Sequence, residues 1–179
     1  MKKLLIIPFV FLLFSFFSCE KDESLDPLPT IVGGQFVRLD ITKKLLAYED
    51  INNAEFGGYL TTPSNNVVKY ELYVRYTSTL DVTGNNYVLL KTITTFPYDL
   101  KITPAELAQA LNLPLSSLSD GDSFRFLGYS YDANNNIADY NSLSSVVKTQ
   151  PGMKQGYKFV TKLALNPIIA QNIFDNYEL

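Results

Sequence analysis

The sequence predicts an all-β fold, an antiparallel β-sandwich with one short crossover helix at about residues 103–112. Three observations carry the prediction. Between residues 35 and 165 the chain breaks into seven or so short runs in which apolar and polar residues alternate or β-branched residues gather. Clusters of Gly, Asn and Pro separate those runs, as turns require. Only one stretch, ITPAELAQALNLP, changes to a helical period.

The first strand is predicted at QFVRLDI (35–41) and the second at AEFGGYLTT (54–62), ended by Pro63-Ser64-Asn65-Asn66. The clearest strand is VVKYELYVRYTS (67–78). Its alternation puts Tyr70, Leu72, Val74 and Tyr76 on one face and Lys69, Glu71, Tyr73 and Arg75 on the other. That is the pattern of a half-buried antiparallel sheet. After a polar turn at Thr83-Gly84-Asn85-Asn86 comes YVLLKTITTF (87–96), whose β-branched residues suit a pleated surface. In the helical stretch Thr103 is placed as N-cap and Pro104 at the first helical position, with Glu106 able to close a capping box. Leu107, Ala110 and Leu111 share a face and Pro114 stops the helix. SDGD (119–122) then turns the chain into SFRFLGYSYD (123–132). NNN (134–136) turns it back into IADY, and GYKFVTKLAL (156–165) closes the sheet.

Ahead of this domain the layout is that of a signal peptide over residues 1–18. Lys2 and Lys3 precede an apolar run that meets charges immediately after Cys19. The run is shorter than the ~20 residues a membrane-spanning helix needs, and it contains Pro8. Cys19 is the only cysteine, so it has no disulfide partner within the chain. Ser18-Cys19 resembles the end of the bacterial lipobox, where the thiol is acylated and the chain cut before it; Phe16 and Phe17 depart from the usual Leu and small residue. Glu20-Lys21-Asp22-Glu23 is similar to the lipoprotein export signal of Bacteroidota, which implies a role for Lys21, Asp22 and Glu23 in reaching the cell surface. An exported linker is also often acidic, so the charge run admits a periplasm-facing anchor as well. Residues 19–34, with Pro27, Pro29, Gly33 and Gly34, are read as the lipidated N-terminus and a flexible linker, 35–165 as the sandwich domain, and 166–179 as a C-terminal tail. A triacylated N-terminus, at about 0.8 kcal/mol per buried CH₂, would make the outer membrane a permanent partner.

Composition narrows the function. Removal of residues 1–18 leaves thirteen basic against eighteen acidic side chains, net −5, with no basic cluster, so nucleic acid is not an expected partner. There is no histidine and no second cysteine. The commonest general base, the commonest zinc ligands and the histidine-dependent triads are therefore missing, and no catalytic residue or cofactor is assigned. Asp132, Asn134, Asn136 and Asp139 offer oxygens at calcium-loop spacing. Ile137 occupies the place of the turn glycine and Leu143 that of the bidentate acid, so the segment is read as a hairpin turn and no metal site is assigned. Twelve tyrosines and no tryptophan leave Tyr73, Tyr129 and Tyr131 on outward strand faces. Such rings pack on sugars and on protein partners, and equally on one another across strands.

KYELYVRY, TFPYDLKITPAELAQALNL, the DGDSFRF turn and YSYDANNNI together resemble the immunoglobulin or fibronectin-III-like domain of Bacteroidota surface lipoproteins, similar to those of starch-utilisation-type uptake loci. The likeness spans about residues 35–165. It implies a non-catalytic outer-membrane lipoprotein facing the cell exterior, serving as accessory binding or assembly module of a nutrient uptake system. Its partners would be envelope proteins of that system, a glycan being one candidate ligand. The alternative expectation is a structural or adhesion protein of the cell surface.

Overall fold

The computed structural model describes residues 35–78 and 86–165. The expected signal segment, Cys19, the expected export signal at Lys21, Asp22 and Glu23, and the segments read as linker and tail lie outside the described residues.

Among the described residues nine strands and two short α-helices follow in order: β1 (Arg38–Lys43), β2 (Leu46–Ala47), β3 (Phe56–Thr61), β4 (Lys69–Thr77), β5 (Val88–Ile93), β6 (Tyr98–Ile102), α1 (Pro104–Ala110), β7 (Ser123–Tyr131), β8 (Ile137–Ala138), α2 (Ser145–Thr149) and β9 (Lys158–Ala164). One sheet has the order β1-β3-β6; the other runs β2-β9-β7-β4-β5, with β8 also on β7. β4 pairs with all of β7, from Lys69↔Tyr131 to Thr77↔Ser123, so β8 and β9 share the opposite edge of β7. The chain is mostly β and sandwich-like, as the alternation predicts.

The two sheets meet in one apolar core. From β4 come Tyr70, Leu72 and Val74, fully buried, and from β7 Phe124 and Phe126; the three-stranded sheet supplies Leu39, Phe56, Leu60, Leu100 and Ile102. Phe56 stacks on Phe126 and Phe159 of the facing sheet at centroid distances of 5.9 and 5.6 Å. Such ring contacts add to the roughly 25 cal/mol per Å² of apolar area removed from water. Tyr76 keeps the predicted inward face, packing against the core with its ring 5.7 Å from that of Phe124, but is less deeply buried than its three strand neighbours. It is half-buried because its hydroxyl donates to the buried Asp122 (2.7 Å), whose carboxylate also accepts from Ser119 N (2.8 Å) and braces the turn into β7.

Gly128 shows why β7 tolerates no side chain at one inward position. A Cβ there would lie 2.6 Å from two ring atoms of Tyr70 and closer still to its hydroxyl. Tyr70 is fully buried and donates to Gly156 O, and burial pushes its phenol pKa up.

Several predicted bounds shift for identifiable reasons. β1 begins at Arg38 rather than Gln35, because the backbone of the preceding residues bonds elsewhere. Gln35 O accepts from Tyr157 and Ser130 hydroxyls, Val37 N donates to Tyr157 Oη (3.1 Å), and Val37 O accepts from Gly156 N (3.0 Å). The stretch predicted as one strand over 87–96 ends at Ile93, and the chain turns through Pro97 into an unpredicted strand, β6, in the other sheet. The sheets are antiparallel except that the two-residue β2 pairs in parallel with β9, as the chain leaves β1 and joins the opposite sheet.

The crossover helix is present and capped by Thr103, whose hydroxyl accepts from Glu106 N (3.2 Å). Glu106 pairs with Lys91 (2.5 Å), tying α1 to β5. Its buried stripe is Pro104, Leu107, Ala108 and Leu111, with Ala108 in place of the expected Ala110, since i, i+3, i+4, i+7 is the spacing that keeps one face inward. The expectation of a single helix is corrected by α2, which Ser144 caps by accepting from Val147 N (3.4 Å). Five residues are too few for a helical period to register in sequence.

Candidate functional site

Two surfaces of the sandwich carry chemistry. The first is the outward face of β4 and β7. Alternation turns Lys69, Glu71, Tyr73 and Arg75 away from the core, and the β4–β7 register sets Lys69 beside Tyr131 and Glu71 beside Tyr129. The three sequence-nominated tyrosines are thereby brought together. Glu71 is their hub, accepting from Tyr131 (2.7 Å) and Tyr73 (3.2 Å) and pairing with Lys69 (2.9 Å). The Lys69 ammonium lies 3.7 Å from the Tyr131 ring centroid, and Tyr73 and Tyr129 meet edge to face at 5.4 Å.

The electrostatics follow from this hub. Donation from Lys69, then from Tyr131, holds the Glu71 carboxyl below its usual range. The Glu71 carboxylate in turn pushes the Tyr131 phenol up to about 12. Burial, then Glu71, raises Tyr73. Hydroxyls so held stay protonated through the neutral range. They offer ring faces and hydrogen bonds. Further along this face Arg75 sits directly opposite Arg125, and its guanidinium lies 5.3 Å from the Tyr87 ring.

The second surface is an open crevice of about 1180 Å³ between β1, the 44–55 segment and the chain from α2 to the start of β9. Its walls carry Lys43, Lys44, Lys148, Lys154 and Lys158, against two acids, Asp50 and Glu55. Lys43 pairs with Glu55, and Lys154 pairs with Asp40 at the rim. Hydrogen bonding from Lys154, with Arg38 adding (3.1 Å), holds the Asp40 carboxyl below its ordinary value. Lys148 and Lys158 place their ammonium groups 5.2 and 5.0 Å from one ring, that of Tyr140.

The calcium-spaced segment is built as a turn closed on itself. Asp132 accepts from Asn134 N (2.8 Å), Asn136 N (2.9 Å) and Asn136 Nδ2 (2.7 Å), while Asn135 takes a left-handed conformation at φ 62°. Asp139 faces its own loop, accepting from Ser142 and Asn141. Among the described residues no three His, Cys, Asp or Glu side chains gather in a metal-holding group, and no helix is long and apolar enough to cross a membrane.

Reading along the chain singles out the tyrosines because strand alternation marks outward positions. It misses the crevice. Its lysines lie at 43–44 and 148–158, a separation that leaves no local charge cluster to notice. No protein-family model matches the chain, and no curated protein matches it.

Proposed function

We propose that this chain is a non-catalytic lipoprotein, anchored to the outer membrane through Cys19 and facing the cell exterior, that serves as an accessory binding or assembly module of a nutrient uptake system. The observation that carries the binding role is the convergence of Tyr73, Tyr129 and Tyr131 on one outward face around Glu71. Tyrosine and arginine are the residues that most often dominate protein–protein contacts, and here Arg75, Arg125 and the exposed Leu89 extend the same surface. The domain itself is read as immunoglobulin or fibronectin-III-like. Support comes from strand order: the last strand, β9, pairs with β7, which pairs with the central β4, as strands G, F and C do in such sandwiches.

A photo-crosslinking side chain in place of Tyr129, in the full chain on living cells, tests the role. A crosslinker replacing Lys101, on the three-stranded sheet, is the control. Adducts with components of an envelope transport complex, formed from position 129 and not from 101, are the expected result. Identical adducts from both positions, or none from 129, would overturn it.

A further inference from the structure

We infer that Arg75 and Arg125 form a two-arginine site for a carboxylate, an Asp or Glu side chain presented by a protein partner that docks on the outward β4–β7 face. The inference rests on the reading of this face as the docking surface, and it names the chemistry the partner must bring.

Position is the first argument. Arg75 of β4 and Arg125 of β7 are direct cross-strand partners, so both side chains leave the sheet side by side on one face. Like charges set directly opposite each other destabilise a strand pair. Nothing within the fold offsets that repulsion. The Arg75 guanidinium has only the Tyr87 ring, 5.3 Å away, Arg125 is exposed, and among the described residues neither has an acid partner. Nearby lysines differ: Lys69 is paired with Glu71, and Lys158 lies against the Tyr140 ring. Glu71, the acid of this face, is already held by Lys69 and two phenols, so it does not answer the arginines.

Unused hydrogen-bonding capacity is the second argument. Arg75 Nε is buried without a hydrogen-bond partner, and so is Oγ1 of Thr77, two residues further along the same face of β4. Buried polar atoms in folded proteins nearly always have a partner. A carboxylate set between the two guanidinium groups draws Arg75 off the Tyr87 ring and brings an acceptor to the end of the face where both unmet groups lie.

The surroundings select the source of the carboxylate. Val160 of β9 stands directly opposite Arg125 on its other side, and the neighbouring row across the strands is Leu89, Tyr73 and Leu127 in register. Leu89 is exposed. Arginine edged by aliphatic side chains and tyrosine is the composition of a protein-interface centre, where charged groups are bound against packed apolar ones. Each guanidinium presents a planar fork that takes a carboxylate through two parallel hydrogen bonds, which a lysine ammonium does not offer. An anionic lipid surface is read instead by clusters of about four to eight basic residues, and two arginines fall short of that. A small free anion would make no use of the apolar row.

A photo-crosslinking side chain in place of Val160, in the full chain on living cells, tests the assignment alongside the one at Tyr129. The expected adduct from position 160 is a protein whose crosslinked peptide, read by mass spectrometry, carries Asp or Glu within a few residues of the linkage. Arg75→Gln with Arg125→Gln should lower its yield at least tenfold, while Lys101→Gln should change it less than twofold. The assignment fails if the adduct forms equally well without the arginines, if its peptide lacks an acid, if the captured material is lipid, or if position 160 gives no adduct. Failure at 160 beside a good adduct from 129 removes only this inference and leaves the docking face standing. An arginine-dependent, acid-bearing adduct from 160 with none from 129 does the reverse. Surface labelling and thermal melting of each variant check that a lost adduct is not lost export or lost folding.

Discussion

At the scale of single residues, the outward face of β4 and β7 is governed by one carboxylate. Glu71 accepts two phenols and one ammonium, so its charged form is favoured and the phenols around it are kept neutral. The pH consequences have opposite signs at the two ends. Because Glu71 has a lowered pKa in the folded state, its contribution is complete above the ordinary value of 4.5 and is lost as pH falls through the lowered one. Because Tyr131 is raised to about 12 from 10.0, its contribution is complete below pH 10.0 and is lost as pH rises towards 12. Tyrosinate absorbance, taken as the difference between the wild type and Tyr131→Phe, should therefore show a late step near pH 12. In a Glu71→Gln background that step should move towards 10. A step already at 10 in the wild type would mean that the Glu71–Tyr131 bond does not hold in solution.

At the scale of elements, β4 is where alternation and packing agree most closely. Leu72 and Val74 are fully buried and adjoin β7, so Leu72→Ala should cost about 2–5 kcal/mol, read from the urea midpoint at unchanged slope. Arg75→Ala should lie near zero, since it loses the Tyr87 contact and relieves repulsion from Arg125. Alternation alone would put Lys69→Ala near zero too. The structure gives Lys69 both an ion pair and a ring contact, so a loss of up to about 1 kcal/mol is expected. Equal costs at Leu72 and Arg75 would contradict the burial pattern of β4. Three of the shorter elements behave differently, while β8, two residues long, is marked in advance by the NNN turn before it. β2, β6 and α2 escape sequence reading because so short a run samples too little of any period, and each exists through its partner: β9 for β2, β3 for β6, the Ser144 cap for α2.

At the scale of the whole molecule, the reading turns on an anchor outside the described residues. Cys19→Ala should abolish lipid labelling and leave either an uncut precursor or a soluble product. Replacing Lys21, Asp22 and Glu23 together by alanine should preserve labelling while removing accessibility to protease added outside intact cells. Unchanged labelling in Cys19→Ala would end the lipoprotein reading. A wild-type protein already shielded from external protease would end the export reading and leave the anchor intact.

The features legible along the chain are local and periodic. The alternation of β4, the Thr103-Pro104 helix start, the turn at Asn134–Asn136 and the outward direction of Tyr73, Tyr129 and Tyr131 all arise from neighbours within a few residues, whose backbone preferences and faces are set along the chain. Tertiary structure alone decided which strands pair, that the chain crosses between sheets at β2 and β6, and that lysines about a hundred residues apart wall a single crevice. The physical reason is that pairing and concavity depend on which buried surfaces meet. Leu39, Phe56 and Phe126 each announce that they are apolar, but only closing the two sheets over one another determines what they touch.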